Sequence, residues 1–253
     1  MRVDLNADIG ESFGVYVSGN DERLLSSITS GSIACGYHAG DPSVMRRTVR
    51  LAARAGVAVG AHPGFPDLVG FGRREMKADP QEIADFILYQ VGALSAIARA
   101  EGVRLQHVKP HGALYHMAVR QKDVAEAIAA AVAALDDSLV MVGPPGSALL
   151  LAAERYGLRV AAEGFADREY ESDGSLAPRH TTGAVLHEPA RAADRAVAMV
   201  RDAKVVARDG SALHLHVDTI CVHGDTPGTA DIAAAVRAAL TQAGIVVAPL
   251  GSI

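Results

Sequence analysis

The chain begins MRVDLNADIGE (residues 1–11), and this stretch decides between the two folds that the rest of the sequence allows. Residues 3–6 predict a short buried β-strand, and Asp8, Gly10 and Glu11 follow it. An open, doubly wound sheet would normally carry a glycine-rich dinucleotide fingerprint after its first strand. That fingerprint is missing here. The stretch therefore favours a closed (β/α) barrel, in which polar residues follow the strands.

From this strand onward, short β-branched runs alternate with longer Ala-rich runs of helical period. Asp41-Pro42 and Asp79-Pro80 each combine an N-cap with a proline at the first helical position. The pattern predicts an α/β fold of one domain, residues 1–253, built as a distorted (β/α) barrel with about seven strands. Strands are predicted at 3–6, 32–35, 57–61, 106–109, 139–142, 159–163, 219–223 and 245–248, and helices at 42–55, 80–100, 123–135, 147–156, 189–208 and 229–243.

Charge and composition exclude several classes of partner. The chain has 253 residues and a formal net charge of -5, which argues against nucleic acid or an anionic membrane. The N-terminus lacks the apolar core of a secretion signal, and the longest apolar stretch, around 138–153, is interrupted by two glycines and two prolines. The two cysteines cannot form a disulfide scaffold in a chain of this length. We therefore expect a cytoplasmic protein that does not span a membrane.

Polar side chains gather where the predicted strands end. In a (β/α) barrel the loops after the strands converge on one mouth, so these residues become neighbours. The turns at the opposite end, such as Glu101-Gly102, contain no His. Turn preference explains the Gly and Pro of the strand exits but not their His, Lys and carboxylates, so we expect a functional site at this mouth. The residues are Asn6, Asp8, Glu11, His38, His62, Arg73, Lys109, His111, Glu163, Asp167, Arg168, His223 and Asp225.

Aromatic residues are scarce: the chain has five Phe, six Tyr and no Trp. Most of them follow predicted strand ends, so we expect large rings to wall the mouth and exclude water from it. These are Phe13, Tyr16, Tyr37, Phe65, Phe71, Tyr115, Phe165 and Tyr170.

Individual residue types suggest particular chemistry. Asp8 and Glu11 suit a general base or a pair of ligands. His38, His62 and His111 come from three strand ends, which suits metal binding or proton transfer. Lys109 suits stabilisation of an oxyanion or a phosphate, and a salt bridge to Asp8 or Glu163 is compatible with that role.

Other chemistry-bearing residues are expected to be structural. Cys35 and Cys221 lie inside predicted strands without a flanking positive charge, so we expect buried thiols rather than nucleophiles. His214 and His216 share one strand face and resemble a metal pair. They precede the end of the last strand before the mouth, which favours a structural role.

Six blocks of the sequence form one recognisable series in chain order. The blocks are DLNADIGESFG (4–14), SIACGYHAGDP (32–42), AHPGFPD with GFGRR (61–67 and 70–74), VKPHGALY (108–115), EGFADR (163–168) and VHGDTP (222–227). Together they resemble the LamB/YcsF family, and the match covers essentially the whole chain. The resemblance implies a barrel related to the glycoside hydrolase and polysaccharide deacetylase type.

The resemblance also implies an activity, which is ATP-dependent opening of 5-oxo-L-proline to L-glutamate by a three-protein 5-oxoprolinase. ATP, Mg-bound, would be a co-substrate, and two further subunits similar to the family's B and C components would be partners. The expected catalytic residues are Asp8, Glu11, His38, Lys109 and His111. The expected substrate-binding residues are Asn6, His62, Arg73, Glu163, Asp167, Arg168, His223 and Asp225, with Arg73 or Arg168 on the substrate carboxylate.

Two alternatives remain open. The first is a metal-dependent deacetylase or amidase that uses Asp8, His38 and His62 around a divalent ion and needs no ATP. The second is a non-catalytic subunit that binds a small amino-acid derivative in the same mouth. The chain has no P-loop, so whether ATP binds this subunit or a partner is also open.

Overall fold

The structure, a computed structural model, describes residues 1–224 and 228–250. Within these residues, seven parallel strands form a closed barrel, which confirms the predicted fold. In order around the barrel they are β1 (Arg2–Ile9), β2 (Ser30–Ala34), β3 (Ala58–His62), β4 (Leu105–Val108), β5 (Val140–Gly143), β6 (Arg159–Phe165) and β9 (Thr219–Val222). The last strand pairs with the first, with Asp4 opposite Thr219 and Asn6 opposite Cys221.

Helices surround this barrel, and the local signals that predicted them are present in the structure. The Asp41 side chain caps the second helix, and Asp79 forms a reciprocal capping box with Glu82 at the start of the third. The described helices are α1 (Asp21–Leu25), α2 (Pro42–Ala55), α3 (Pro80–Ala100), α4 (Gly112–Arg120), α5 (Lys122–Leu135), α6 (Ala148–Arg155), α7 (Pro189–Asp202) and α8 (Thr229–Gln242). Helices α1 and α4 were not predicted, because α1 has only five residues and α4 begins within a few residues of the polar exit of β4.

The predicted helix at 189–208 is too long. Helix α7 ends at Asp202, because Ala203 adopts a left-handed conformation with φ 49°. The chain then forms an antiparallel hairpin of β7 (Lys204–Val206) and β8 (Ala212–His214), outside the barrel. His214 and His216 are exposed on and beside this hairpin, in keeping with the structural role expected for them. A final short strand, β10 (Val246–Val247), pairs with the start of β1.

The interior of the barrel is more polar than the small aliphatic residues of the sequence suggest. Alternate residues of β1 point inward, and the first of them, Asp4, accepts hydrogen bonds from the hydroxyls of Thr29, Ser30 and Thr219. His107 of β4 crosses the barrel above Gly60, a position where a Cβ atom would collide with its ring. The aliphatic residues pack mainly between the strands and the helices. The barrel is thus a scaffold that carries many hydrogen-bonding groups on its inner surface.

Among the described residues, one helix is long and apolar enough to cross a membrane by length and composition alone, with mean hydropathy 1.3. This helix is α3, and it is distinct from the apolar stretch around 138–153. It packs against α2, α5 and the strands β3 and β4, as an outer helix of a barrel does. Its buried Gln90 accepts a hydrogen bond from the Gly64 amide and donates one to the Gly64 carbonyl.

Candidate active site

A cavity of about 370 Å³ opens at the carboxyl ends of the strands, where the sequence predicted a functional mouth. Eight of the predicted site residues line it, from five different strand ends. These are Asp8, His62, Arg73, Lys109, His111, Glu163, Arg168 and His223. Asn6, Glu11, His38 and Asp167 are buried among those residues without lining the cavity themselves. Asp225 lies outside the described residues.

Lys109 is the centre of a buried network on the floor of the cavity. Its Nζ lies 2.6 Å from Asp8 Oδ1 and 3.0 Å from Glu163 Oε1, and it donates to Asn6 Oδ1 at 2.9 Å. The thiol sulfur of Cys221 lies 3.2 Å away. The ammonium group is therefore fully surrounded by protein acceptors. Lys109 supplies fixed positive charge to the floor, and the salt bridges foreseen with both Asp8 and Glu163 are present.

The environment fixes the protonation states of this network. Burial opposes the charge of Lys109, but the carboxylates of Asp8 and Glu163 hold the lysine pKa well above its ordinary value. Burial likewise opposes ionisation of Asp8, yet His62 and Lys109 hold its pKa well below the ordinary value. The buried Cys221 has a pKa raised well above that of a free thiol, mainly by desolvation. The network therefore contains an ion pair of Lys109 with Asp8 beside a neutral thiol. Because this thiol is protonated, Cys221 is inert, as expected.

A second cluster holds three histidines and one carboxylate beside the network. His38 and His111 stack in parallel, with ring centroids 3.7 Å apart, and His62 meets His111 edge-on. His62 Nε2 and His111 Nδ1 are 2.9 Å apart, and Glu11 Oε1 lies 3.4 Å from His38 Nε2. Burial lowers the pKa of His38 and that of His111 well below the ordinary value. We call Glu11, His38, His62 and His111 the histidine cluster.

Glycines at two close approaches allow the stacked rings to pack. A Cβ atom on Gly64 would come within 2.8 Å of His38 Nδ1. A Cβ atom on Gly72 would come within 2.8 Å of both the His38 Cβ and the His111 Cδ2, and Gly72 also has a φ of +63°. Phe71, just before it, places its ring edge-on to both stacked imidazoles. The loop after β3 therefore clamps the two rings that β2 and β4 deliver.

The opposite wall of the cavity holds a carboxylate–imidazole dyad. Both oxygens of Asp167 accept hydrogen bonds from His223 Nδ1, at 3.0 and 3.1 Å, and one accepts from the His223 backbone amide. Burial opposes the charge of Asp167, but His223 keeps its pKa below the ordinary value. Because Nδ1 donates to the carboxylate, Nε2 of the neutral ring is a proton acceptor. The His223 ring also stacks on Phe165.

The two candidate arginines for an anionic substrate differ. Arg168 is buried, and its guanidinium donates to the carbonyls of Ala177 and Ala184, so it holds the loop after β6 over the cavity. Burial lowers its pKa to about 10. Arg73 is exposed at the cavity, with its guanidinium 5.0 Å from the centre of the Phe71 ring. Of the two, Arg73 is better placed to reach a ligand.

The rings predicted to wall the mouth are divided between two places. Phe71, Tyr115 and Phe165 contact site residues, but Tyr37 stacks on Tyr89 of α3 and Tyr16 is 78% exposed. A position just after a strand is therefore not enough to predict that an aromatic ring lies at the site. The direction of the loop decides which way the ring points.

Several contributions to the site were not foreseen from the sequence. Tyr115 was expected at the mouth only as a ring, but its hydroxyl donates to Glu163 Oε2 at 2.8 Å, and it lies one helical turn after His111, a spacing that gives the signal. Thr219 accepts from Asn6 at 2.7 Å and thereby orients it. The cavity is also lined by Pro178, Arg179 and His180 of the loop after β6, whose sequence carries no motif that would reveal their position.

The predicted metal triad of Asp8, His38 and His62 is not the set of donors that the structure brings together. His38 and His62 instead group with Glu11 and His111. Asp8 groups with Cys221 and His223 and is ion-paired to Lys109. The reason is that one oxygen of Asp8 pairs with Lys109 and the other lies 3.4 Å from His62 alone, whereas Glu11 Oε1 lies within 3.5 Å of both His38 and His111.

A parallel (β/α) barrel with a polar cavity at the carboxyl ends of its strands is an architecture typical of hydrolases. A profile of the LamB/YcsF family matches residues 3–253, and the chain belongs to this family. It is 54% identical over 247 residues to the 5-oxoprolinase A-type component of Heliobacterium modesticaldum, covering 98% of this chain and 97% of that protein. It is 55% identical over 249 residues to the protein of the same name from Methylococcus capsulatus, covering 98% and 96%.

Solved structures agree with this assignment. The lactam utilization protein from Thermus thermophilus superposes with a TM-score of 0.93 at 50% identity, covering 98% of this chain and 99% of that one. A peptidoglycan deacetylase from Bacillus subtilis gives a TM-score of 0.50 at 12% identity, covering 99% and 88%. The second likeness concerns the fold alone, and it bears out the expected relation to deacetylase-type barrels.

Proposed function

We propose that this chain is the hydrolytic subunit of an ATP-dependent 5-oxoprolinase, which opens 5-oxo-L-proline to L-glutamate. The relatives that share half of its sequence over nearly their whole length carry that component's name. The observation that carries the proposal is a small cavity that holds a buried ion pair, Lys109 with Asp8, close to an oriented imidazole, His223. A cavity of about 370 Å³ is at the small end of ligand sites and suits a molecule of amino-acid size.

ATP is required because the lactam is an unstrained, resonance-stabilised amide that water attacks poorly. Transfer of the γ-phosphoryl group to the lactam oxygen removes that resonance and makes the ring carbon electrophilic. We assign this transfer, with Mg-bound ATP, to two partner subunits of the B and C type, because the chain has no P-loop. The present subunit receives the phosphorylated lactam.

Hydrolysis then proceeds in two steps. Water adds to the ring carbon while His223 Nε2 takes a proton from it, and Asp167 stabilises the imidazolium that forms. The imidazolium returns the proton to the ring nitrogen as the C–N bond breaks, which leaves an amine and a γ-acyl phosphate. A second water replaces the phosphate, so that one ATP and two waters yield glutamate, ADP and phosphate.

The remaining residues bind and orient the substrate. Arg73 holds the substrate carboxylate at the open side of the cavity. The fixed charge of Lys109 lowers the energy of negative charge that develops above the floor. Tyr115 and Asn6 hold Glu163 in place for that ion pair, through hydrogen bonds of 2.8 and 3.1 Å.

The test uses 5-oxoproline labelled with ¹⁸O at the lactam oxygen, incubated with ATP and the complete complex. Phosphorylation of that oxygen predicts one ¹⁸O in the released phosphate. Omission of this chain should abolish glutamate formation while the partners still consume ATP on the lactam. Unlabelled phosphate, or glutamate formation without this chain, would contradict the proposal.

A metal-dependent amide hydrolase that needs no ATP is a second candidate, and the histidine cluster beside the cavity favours it. Glutamate formation by the isolated chain with a divalent metal and no ATP would select this candidate. A binding subunit without catalysis would instead keep its affinity for 5-oxoproline after Asp167→Asn, with no change in the turnover of the complex.

A further inference from the structure

The hydrogen bonds of the histidine cluster leave two lone pairs facing each other. His62 Nδ1 lies 2.6 Å from the Lys109 carbonyl oxygen, and His111 Nε2 lies 2.8 Å from the Phe71 carbonyl oxygen. A carbonyl only accepts, so both of these nitrogens carry protons. In neutral rings, His62 Nε2 and His111 Nδ1 are then both unprotonated, and they are 2.9 Å apart. Two lone pairs at that distance repel unless a cation lies between them.

His38 adds a second, independent observation. Its side chain is fully buried, and neither Nδ1 nor Nε2 has a hydrogen-bond partner among the described residues. An unsatisfied polar group in the interior is costly, so such a ring is normally paired or coordinated. Its Nε2 lies 3.4 Å from Glu11 Oε1, which belongs to the same cluster.

Three of the separations among the four donor atoms are close to those around one metal ion. A tetrahedral Zn²⁺ with Zn–N distances of about 2.0–2.1 Å separates its donors by about 3.3 Å. The observed separations are 2.9 Å from His62 to His111, 3.4 Å from His38 to Glu11 and 3.5 Å from His111 to Glu11. All four donor atoms lie within 4.8 Å of one another. We propose that Glu11 Oε1, His38 Nε2, His62 Nε2 and His111 Nδ1 bind one divalent transition-metal ion of the Zn²⁺ type.

A proton shared by His62 and His111 explains less. It would satisfy that one contact and leave His38 Nε2 without a partner, whereas a metal ion would also bind His38 Nε2 and Glu11 Oε1. The other group of potential donors, Asp8, Cys221 and His223, is a poorer site. The Lys109 ammonium lies 2.6 Å from Asp8 Oδ1 and 3.2 Å from the Cys221 sulfur, and it would repel a second cation there.

Metal binding at the histidine cluster does not require the proposed reaction. His62 and His111 line the cavity, so the ion would sit at its wall, with its tetrahedral shell filled by four protein donors. The other two donors lie behind them.

The experiment measures metal binding by the purified, tag-free chain without substrate. After dialysis against EDTA, the chain is titrated with Zn²⁺ by calorimetry, and Co²⁺ replaces Zn²⁺ for visible spectroscopy. We expect one ion per chain, the intense visible bands of tetrahedral Co²⁺, and a higher thermal midpoint with metal. No stoichiometric uptake of either ion would overturn the proposal.

Variants locate the site. Glu11→Gln keeps the size of the side chain, and His38→Gln removes an imidazole; each should weaken Zn²⁺ binding by more than the roughly 10–100-fold that loss of an outer-shell partner costs. His116→Gln is the matched control, because His116 lines the same cavity outside the cluster. Equal affinity of Glu11→Gln and His116→Gln would refute the assignment even if His38→Gln fails to fold. Metal uptake without any 5-oxoprolinase activity in the complex would leave this site standing and reject the proposed function instead.

Discussion

Replacement of Lys109 by Met should reveal how much the buried ion pair stabilises the fold. Methionine keeps the length of the side chain and removes its charge, so Asp8 and Glu163 lose their counter-ion while they remain buried. Removal of one partner from a buried pair typically costs about 3–5 kcal/mol, a large part of the roughly 5–15 kcal/mol that stabilises a domain. We therefore expect Lys109→Met to fold at low temperature and to unfold at much lower urea concentration than the wild type.

The size of this loss should depend on pH, and the sign follows from the carboxylates. In the wild type the pKa of Asp8 is held below its ordinary value of 3.8, so its stabilisation is present above that pH and is lost only in acid. In the variant, burial without a counter-ion raises the pKa of Asp8, so stability falls as pH rises above about 4. At about 1.4 kcal/mol per pKa unit, the cost should be about 3–5 kcal/mol at pH 8 and about 1–2 kcal/mol at pH 5.

Urea unfolding followed by circular dichroism at both pH values measures the free energy of unfolding. Lys122→Met is the matched control, because Lys122 forms an exposed pair with Glu126 at 3.7 Å, which is expected to contribute less than about 1 kcal/mol. A cost for Lys109→Met no greater than that of the control, or a cost that does not change with pH, would refute this account of the buried network.

Three further predictions concern the dyad, the substrate carboxylate and the clamped rings. Asp167→Asn should lower kcat of the assembled complex by roughly 10²–10⁴-fold with little change in KM. The control Asp173→Asn, at an exposed residue of the same loop, should leave kcat and KM unchanged. Equal kcat values for the two variants would exclude a catalytic role for the dyad. Arg73→Ala should raise KM for 5-oxoproline by roughly 10–100-fold, and Arg73→Lys should restore it only in part; an unchanged KM with Arg73→Ala would remove this residue from the substrate site. Gly72→Ala should cost about 1–3 kcal/mol more in thermal or urea unfolding than Gly102→Ala, because both glycines have positive φ but an added Cβ meets no atom within 4 Å at Gly102; equal costs would show that the rings have room to move.

The elements that the sequence predicted well are those with local signals. Asp-Pro caps at α2 and α3 and the glycine at position 56 depend on a few neighbouring residues, and they stand where expected. The grouping of site residues at one end was also predictable, because strand exits converge in any closed parallel barrel.

The pairing of individual side chains within the site was not predictable. Whether Asp8 or Glu11 meets the histidines depends on the stagger of β1 against its neighbours and on the loop that follows it. The polar inner surface was not predictable for the same reason. Asp4 and His107 look like ordinary strand residues in the sequence, and their partners are known only once the neighbouring strands are in register. Helix α7 ended early because one alanine adopts a left-handed conformation, for which alanine gives no sequence signal.

The closure of the barrel by β1 and β9 has a consequence for the nascent chain. The Asp4 carboxylate accepts a hydrogen bond from Thr219, which lies 215 residues later in the chain. Synthesis of those residues takes about 10–40 s at ordinary translation rates. During that time one edge of β1 has no partner strand and is open to pairing with other chains. Charged residues on an open strand edge discourage such pairing. Asp4 and Asp8, whose side chains later lie inside the barrel, therefore reduce aggregation of the nascent chain.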